Sequence, residues 1–327
     1  GFTDASYDES AQAGLFASRL GLSNTVEKVS DIDYDAIRDL LLDNVGQPFG
    51  DPSILPTALV SRLASKHLKV CLSGDGADEV FSGYQRYQAR AMYSQYNRLP
   101  VSLVKLLEAF VEGLPATNRH HSASIVKKSK LFVELMQRYR LHNDFLTPKL
   151  IPPNLETSHY ASLFGTSCND HKITGAYTDD VMSMMANDLN VYLPQDILLK
   201  TDRASMANSL EIRSPFLDES LVNFAFSLTR KWHRTKGKGK CLLRTSLSEY
   251  LPAEIWRKRK QGFSLPVGAW MKGRLGDELI ALAAANFSSS QLKNIECAVK
   301  DHRDGVIDLS LSLWPIYTYL LWSEGCR

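Results

Sequence analysis

The sequence predicts an α/β fold on a parallel sheet, with a large helical insertion and a helical carboxyl-terminal part. Three observations predict it. Strand-like and helix-like segments alternate through the first 90 residues, a small-residue acidic loop follows the apolar run Val70-Cys71-Leu72, and from about Gln88 onward the helical period dominates.

Taken in order, Gly1-Phe2 reads as the tail of a strand, and Asp8 and Glu9 follow its end. A helical pattern through Ala13, Phe16, Ala17 and Leu20 is closed by Gly21. Thr25–Val29 reads as a short strand, and Asp33 caps a helix carrying Ile37, Leu40, Leu41 and Val45. Prolines and glycine make Gln47–Ser53 a loop, a helix spans about Leu55–His67, and a buried strand is expected at Val70. In a parallel sheet, ligands bind beyond the carboxyl ends of the strands. That makes Ser73–Glu79, and also Asp8 and Glu9, candidate site walls. Residues 88–178 read as a helical insertion rich in Leu, Lys, Arg and Tyr, and 179–327 as a helical remainder carrying further site loops. Within the insertion, His120, His121 and the basic Lys127-Lys128-Ser129-Lys130 lack partners at metal spacing and read as solvated helix surface.

Composition narrows the function classes. With 44% hydrophobic and 23% charged residues, the 327-residue chain has the make-up of a soluble globular protein. A formal charge of +2 argues against a general nucleic-acid binder. No apolar run reaches the ~18 residues of a membrane span, and no signal peptide opens the chain. Five scattered cysteines form neither a disulfide framework nor a CxxC site, which fits a reducing cytoplasm.

The chemistry concentrates in Lys69–Tyr87, KVCLSGDGADEVFSGYQRY. Small residues let backbone N–H groups approach an anion, and a helix starting near Asp78 points its positive end there. Asp75, Asp78 and Glu79 would repel bare phosphate, but they suit a divalent cation bridging to phosphate oxygens. An acidic turn capping a helix is the other reading of the same residues. Farther on, Tyr192–Asp218 mixes the apolar Leu198, Leu199, Met206 and Leu210 with Lys200, Asp202 and Arg203. The charges Glu211, Arg213 and Asp218 beside Pro215-Phe216 suggest internal ion pairs, structural or functional. Lys236–Lys240 reads as a flexible basic loop, and Arg257–Pro266 as a shaped loop presenting one lysine. The segment Leu309–Trp322 has the spacing of a packed terminal helix despite Pro315.

SGDGADEVFSGYQRY, DILLKTDRASMANSLEIRSPFLD, KCLLR and RKQGFSLP occur in that order, with GFTDASYDES and QPFGDPSILPT ahead of them. Together they resemble the synthetase domain of glutamine-hydrolysing asparagine synthetases, from Gly1 to roughly Trp270. The resemblance implies a sheet of the adenine nucleotide α-hydrolase-like (ATP-pyrophosphatase) type. It implies adenylation of aspartate by Mg-ATP to β-aspartyl-AMP and displacement of AMP by ammonia from glutamine, in a cytoplasmic, possibly homodimeric enzyme. Ser73 and Gly74 then match nucleotide-contacting positions, Asp75 an acid needed to form the acyl-adenylate, Asp78 a magnesium ligand, and Lys260 a lysine that offsets charge at the α-phosphate. Arg203, Glu211 and Arg213 read as scaffold around the site.

Two departures stand out. The family's SGGxDS phosphate loop does not occur in the sequence, nor does the amino-terminal glutaminase domain with its nucleophilic cysteine. The expectation is a carboxyl-terminal portion with no glutamine-dependent activity and little ATP binding by itself. Gln47 stands where relatives commonly carry Glu. Rival readings are a related amidotransferase, a β-lactam synthetase or lasso-peptide cyclase, in which another residue tends to replace Asp75, and a non-catalytic assembly module.

Overall fold

The computed structural model describes residues 1, 8–29, 34–96, 98–113, 126, 129–130, 132–133, 136–137, 180–235, 238–251 and 266–325. His120, His121, Lys127, Lys128 and Lys260 lie outside them.

Helix α1 (Ser10–Arg19) ends as expected at Gly21, whose φ of 66° is the left-handed stop that glycine supplies. The strand expected at Thr25–Val29 reduces to a bridge at Val29. There the Gly1 amine donates to Glu27 O (2.8 Å) and Val29 N donates to Gly1 O (2.9 Å). Bonding to the residues on either side of Lys28 is the parallel pattern. Helix α2 (Tyr34–Asp39) widens into a π-type turn, Leu40–Asn44, which carries Ile37, Leu40, Leu41 and Val45 inward as the spacing predicts. Helix α3 (Ile54–Ser65) leads to β1 (Val70–Leu72), and α4 (Ala77–Val80), α5 (Gln85–Tyr96) and α6 (Val101–Glu112) follow.

After α7 (Asp180–Asn187), wide π-type turns run through Asp188–Leu198 and enclose Pro194, then tighten into α8 (Leu199–Met206). Proline has no N–H to give to a regular α-helical ladder, so a departure from it here costs little. Strand β2 (Glu211–Arg213) pairs parallel with β1, Val70 opposite Glu211 and Leu72 opposite Arg213. The chain continues through α9 (Glu219–Ser227), α10 (Arg230–His233), α11 (Cys241–Ser246), α12 (Val267–Lys272), α13 (Arg274–Asn286), α14 (Ser289–Arg303) and α15 (Ser310–Gly325). The described residues thus form a mostly helical α/β structure with a small parallel sheet. None of its helices is long and apolar enough to cross a membrane.

The largest core joins the two ends of the chain. Ile37, Leu41, Phe49 and Ile54 pack with Met271, Leu279, Val299, Trp314 and Leu321, so α2, α3 and α8 rest on the helices α12–α15. A second core links α5 and α6 to α7 through Tyr87, Val104 and Met184. A small third one, Val80, Phe81 and Ala225, fixes α4 on α9.

Three expectations are corrected. Strand β1 is not buried: Val70 is 42% and Leu72 71% exposed, because among the described residues the sheet has two strands and nothing covers that face. Glu211 and Arg213 do pair (2.8 Å), but two apart on a strand they share that same open face, with side chains 55% and 66% exposed. Asp218 is the N-cap of α9, accepting from Ser220 N and Leu221 N. Both are boundary features of solvated elements, with no buried charge to neutralise.

Candidate active site

The loop that leaves β1 is held by its own side chains and by α8. Ser73 N donates to Arg213 O (2.8 Å), which extends the sheet ladder by one bond. Ser73 Oγ donates to Asp75 Oδ2 (2.9 Å) and lies 3.0 Å from Ser214 Oγ. Thr201 Oγ1, on the first turn of α8, donates to the same Asp75 oxygen (3.1 Å). Two hydroxyls from separate elements therefore fix the Asp75 carboxylate, which hydrogen-bond donors hold better than burial would.

The two loop glycines differ in purpose. Gly76 caps α4 at φ 86°, and a Cβ there would sit 2.3 Å from Leu217 Cδ2, so the fold itself requires glycine. A Cβ on Gly74 would meet nothing within 4 Å, and its φ is not left-handed. No packing reason makes residue 74 a glycine. Close approach of a ligand would.

The three acids of this loop part company. Glu79 turns inward, 1% exposed, and accepts a short hydrogen bond from Tyr84 OH. Burial raises its pKa against that hydrogen bond, and the Asp78 charge raises it further. It belongs to the scaffold. Asp78 stays partly open, its side chain 21% exposed, with Lys240 Nζ 3.1 Å from Oδ1. The sequence argument for a helix dipole is also corrected, because α4 is a single four-residue turn and cannot sum many peptide dipoles.

Behind the loop lies a second polar layer. Lys200, next to Thr201, is 9% exposed and reaches Asp51 Oδ2 (2.9 Å) and Ser53 Oγ (2.8 Å) in the loop before α3. Asp196, on the wide turns, has its pKa pushed up to about 6, first by burial and then by the Asp51 charge, with Lys200 opposing. Deeper still, Asp188 receives Arg86 (2.7 Å) and the Tyr87 hydroxyl, and the Arg86 guanidinium lies against the rings of Tyr84 (4.9 Å) and Tyr192 (4.8 Å), which meet each other edge to face. Burial raises the Asp188 pKa and Arg86 counters it.

Of the residues singled out from sequence, Ser73, Gly74 and Asp75 share the loop at the carboxyl end of β1 and Asp78 stands on the helical turn α4 that follows it, while Lys260 lies outside the described residues. Asp8 is a local cap: its carboxylate accepts from Ser10 N (3.1 Å) and Ser10 Oγ (2.9 Å), which lowers its pKa. Sequence reasoning missed Thr201, Ser214, Lys200 and Lys240 as site neighbours. The motifs containing them were visible, but the contact with Asp75 spans 126 residues and no local pattern encodes it. Among the described residues no three His, Cys, Asp or Glu side chains cluster to hold a metal. One or two carboxylates are nonetheless the usual protein share of a magnesium ion that arrives on phosphates.

The sequence profile described as asparagine synthase matches residues 1–324. The chain belongs to the asparagine synthase family. It is 26% identical over 334 residues to asparagine synthetase [glutamine-hydrolyzing] 1 of Bacillus subtilis (strain 168), a match covering 98% of this chain and 51% of the relative. It is 30% identical over 332 residues to a putative asparagine synthetase [glutamine-hydrolyzing] of Mycobacterium bovis, covering 98% and 49%. A more distant likeness, 22% over 304 residues, is to amidase chyE of Penicillium rubens, covering 83% and 43%. The chain thus spans about half the length of the asparagine synthase relatives it matches.

Proposed function

We propose that this chain is the synthetase part of an ATP-dependent, amide-forming enzyme that converts aspartate to asparagine. Aspartate attacks the α-phosphate of ATP to give β-aspartyl-AMP and pyrophosphate, and ammonia released from glutamine then displaces AMP. The observation that carries this reading is the loop after β1, where a hydroxyl-fixed Asp75 and a partly open Asp78 flank a glycine with no structural need to be one.

Each residue then has a task. Ser73 and Gly74 line the nucleotide, and Asp78 would hold a magnesium ion, which would supply positive charge to the polyphosphate. Asp75, held by Ser73 and Thr201, serves formation of the acyl-adenylate. Lys260 brings positive charge to the centre that becomes more negative at the transition state. Parallel sheets are normally covered on both faces by helices, so in this reading the sheet extends beyond β1 and β2 and helices pack over the face of Val70 and Leu72.

Aspartate-dependent exchange of labelled pyrophosphate into ATP, in the whole polypeptide that carries this chain, tests the reading. Exchange is expected in the wild type and should fall at least about 100-fold in Asp78→Asn. Exchange that ignores aspartate, or survives that change intact, would overturn it.

A further inference from the structure

We propose that Lys240 is the built-in counter-ion of the cation-binding carboxylate: it holds Asp78 until a divalent cation arrives, yields it, and then faces the polyphosphate that the cation carries. This deepens the function proposed above and rests on Asp78 being the cation ligand.

Lys240 is placed by its surroundings. Its ammonium lies 3.1 Å from Asp78 Oδ1, with side-chain exposures of 27% and 21%, so solvent screens the pair less than it would a surface pair. Its backbone N–H donates to Phe81 O (2.9 Å), one residue past the end of α4. Just before it, Thr235 and Lys238 exchange two backbone hydrogen bonds, each 3.0 Å. Arg234 Nη1 donates to Ser82 O (2.8 Å), and Arg244 Nε donates to Gly239 O (3.0 Å). Two glycines make room for the contact. A Cβ on Gly83 would lie 1.7 Å from Asp78 Oδ1 and 2.5 Å from Lys240 Cε, and one on Gly239 would lie 2.1 Å from Ser82 O. Lys240 itself adopts φ 55°, a left-handed conformation that a lysine keeps only when its environment imposes it. Residues 238–240 are thus latched to the turn after α4 and bring the Lys240 ammonium to the Asp78 carboxylate.

A divalent cation on Asp78 repels that ammonium strongly at this distance. The phosphate oxygens the cation brings are anions within reach of a flexible lysine, which binds them as a point charge. The step is an exchange of ion pairs; no covalent bond forms or breaks.

The two ligands predict opposite signs for one substitution. Bare Mn2+ is titrated by electron paramagnetic resonance, and Mg2+ tripolyphosphate by calorimetry, against the whole polypeptide carrying this chain. In Lys240→Met, Mn2+ should bind about tenfold or more tightly than in wild type, the scale of one close charge pair in a water-like medium. Mg2+ tripolyphosphate should bind more weakly. Lys240→Arg should stay near wild type for Mn2+, and Asp78→Asn should erase the gain. Equal Mn2+ affinity in wild type and Lys240→Met, or no Mn2+ binding in either, overturns the role of Lys240. If Asp78→Asn weakens both while Lys240→Met changes neither, Asp78 survives as a ligand and only the exchange fails. Mn2+ binding indifferent to Asp78→Asn in every background removes the cation ligand as well. Should Lys240→Met fail to fold, Lys240→Gln takes its place under the same criteria.

Discussion

At the residue scale, Gly76 and Gly74 separate folding from chemistry within three positions. Gly76→Ala forces a left-handed alanine against Leu217 and should cost about 1–2 kcal/mol or more in urea unfolding. Gly74→Ala should unfold within about 0.5 kcal/mol of wild type yet, under the function proposed above, weaken nucleotide binding, because the added Cβ enters open space beside the loop. Equal stability losses for the two would remove the distinction. Asp196 makes a second claim of this kind. Its carboxyl titrates near 6 in the folded chain against 3.8 as the ordinary value, chiefly because it is buried and then because Asp51 is near. Below pH 4 both states hold the proton and nothing is lost. Between 4 and 6 the folded state keeps a proton the unfolded state has released, so this group's contribution to stability falls as pH rises, and the full cost applies above 6. The melting temperature of Asp196→Asn relative to wild type should therefore climb by a few degrees between pH 4 and pH 7.5. A difference that stays flat with pH would contradict the assignment.

At the element scale, β1 is the informative case. Val70 and Leu72 lie on one face by strand alternation, and both are exposed. In a fragment limited to residues 1–327, Leu72→Ser should change stability by no more than about 0.5 kcal/mol, whereas Leu210→Ala, at a side chain 1% exposed, should cost about 2–5 kcal/mol. Where helices cover that face, Leu72→Ser should instead cost about 1–3 kcal/mol; the same small effect in both would argue that the face stays wet. This element also marks how far the sequence could be read. The apolar run announced a strand and the acidic small-residue loop announced its end, since both signals are local. Whether the strand is covered depends on neighbours far along the chain, and a run such as Val70-Cys71-Leu72 looks the same either way. Helix α1 with its Gly21 stop, α3 and α15 were legible from period and punctuation. The wide turns at Asp188–Leu198 were not, because apolar spacing hardly distinguishes π-type from α-type turns over so short a span. Glu211 and Arg213 looked like buried charges because apolar residues flank them, and only the register of β2 reveals that both point outward. Lys240 stood in a lysine-rich stretch that reads as solvent-facing, and its importance emerges only when its turn is seen latched to Phe81 and Ser82.

At the scale of the whole molecule, the core binds the early α2–α3 segment to the last four helices, so the site loop between them rests on a frame closed from both ends of the chain. On that frame α8 brings Thr201 to Asp75 and Lys200 to Asp51, while α11 opens with Lys240 on Asp78. Two sequence-distant segments thus converge on the turn after β1, an arrangement that fits the function proposed for it. The most direct measurement follows oxygen. Aspartate labelled with 18O in its side-chain carboxyl is turned over with ATP by the whole polypeptide, and the nucleotide product is analysed by mass spectrometry. The account requires AMP carrying one 18O from aspartate, with the label lost along with AMP formation in Asp75→Asn. Unlabelled AMP, or ADP and phosphate in its place, would contradict it.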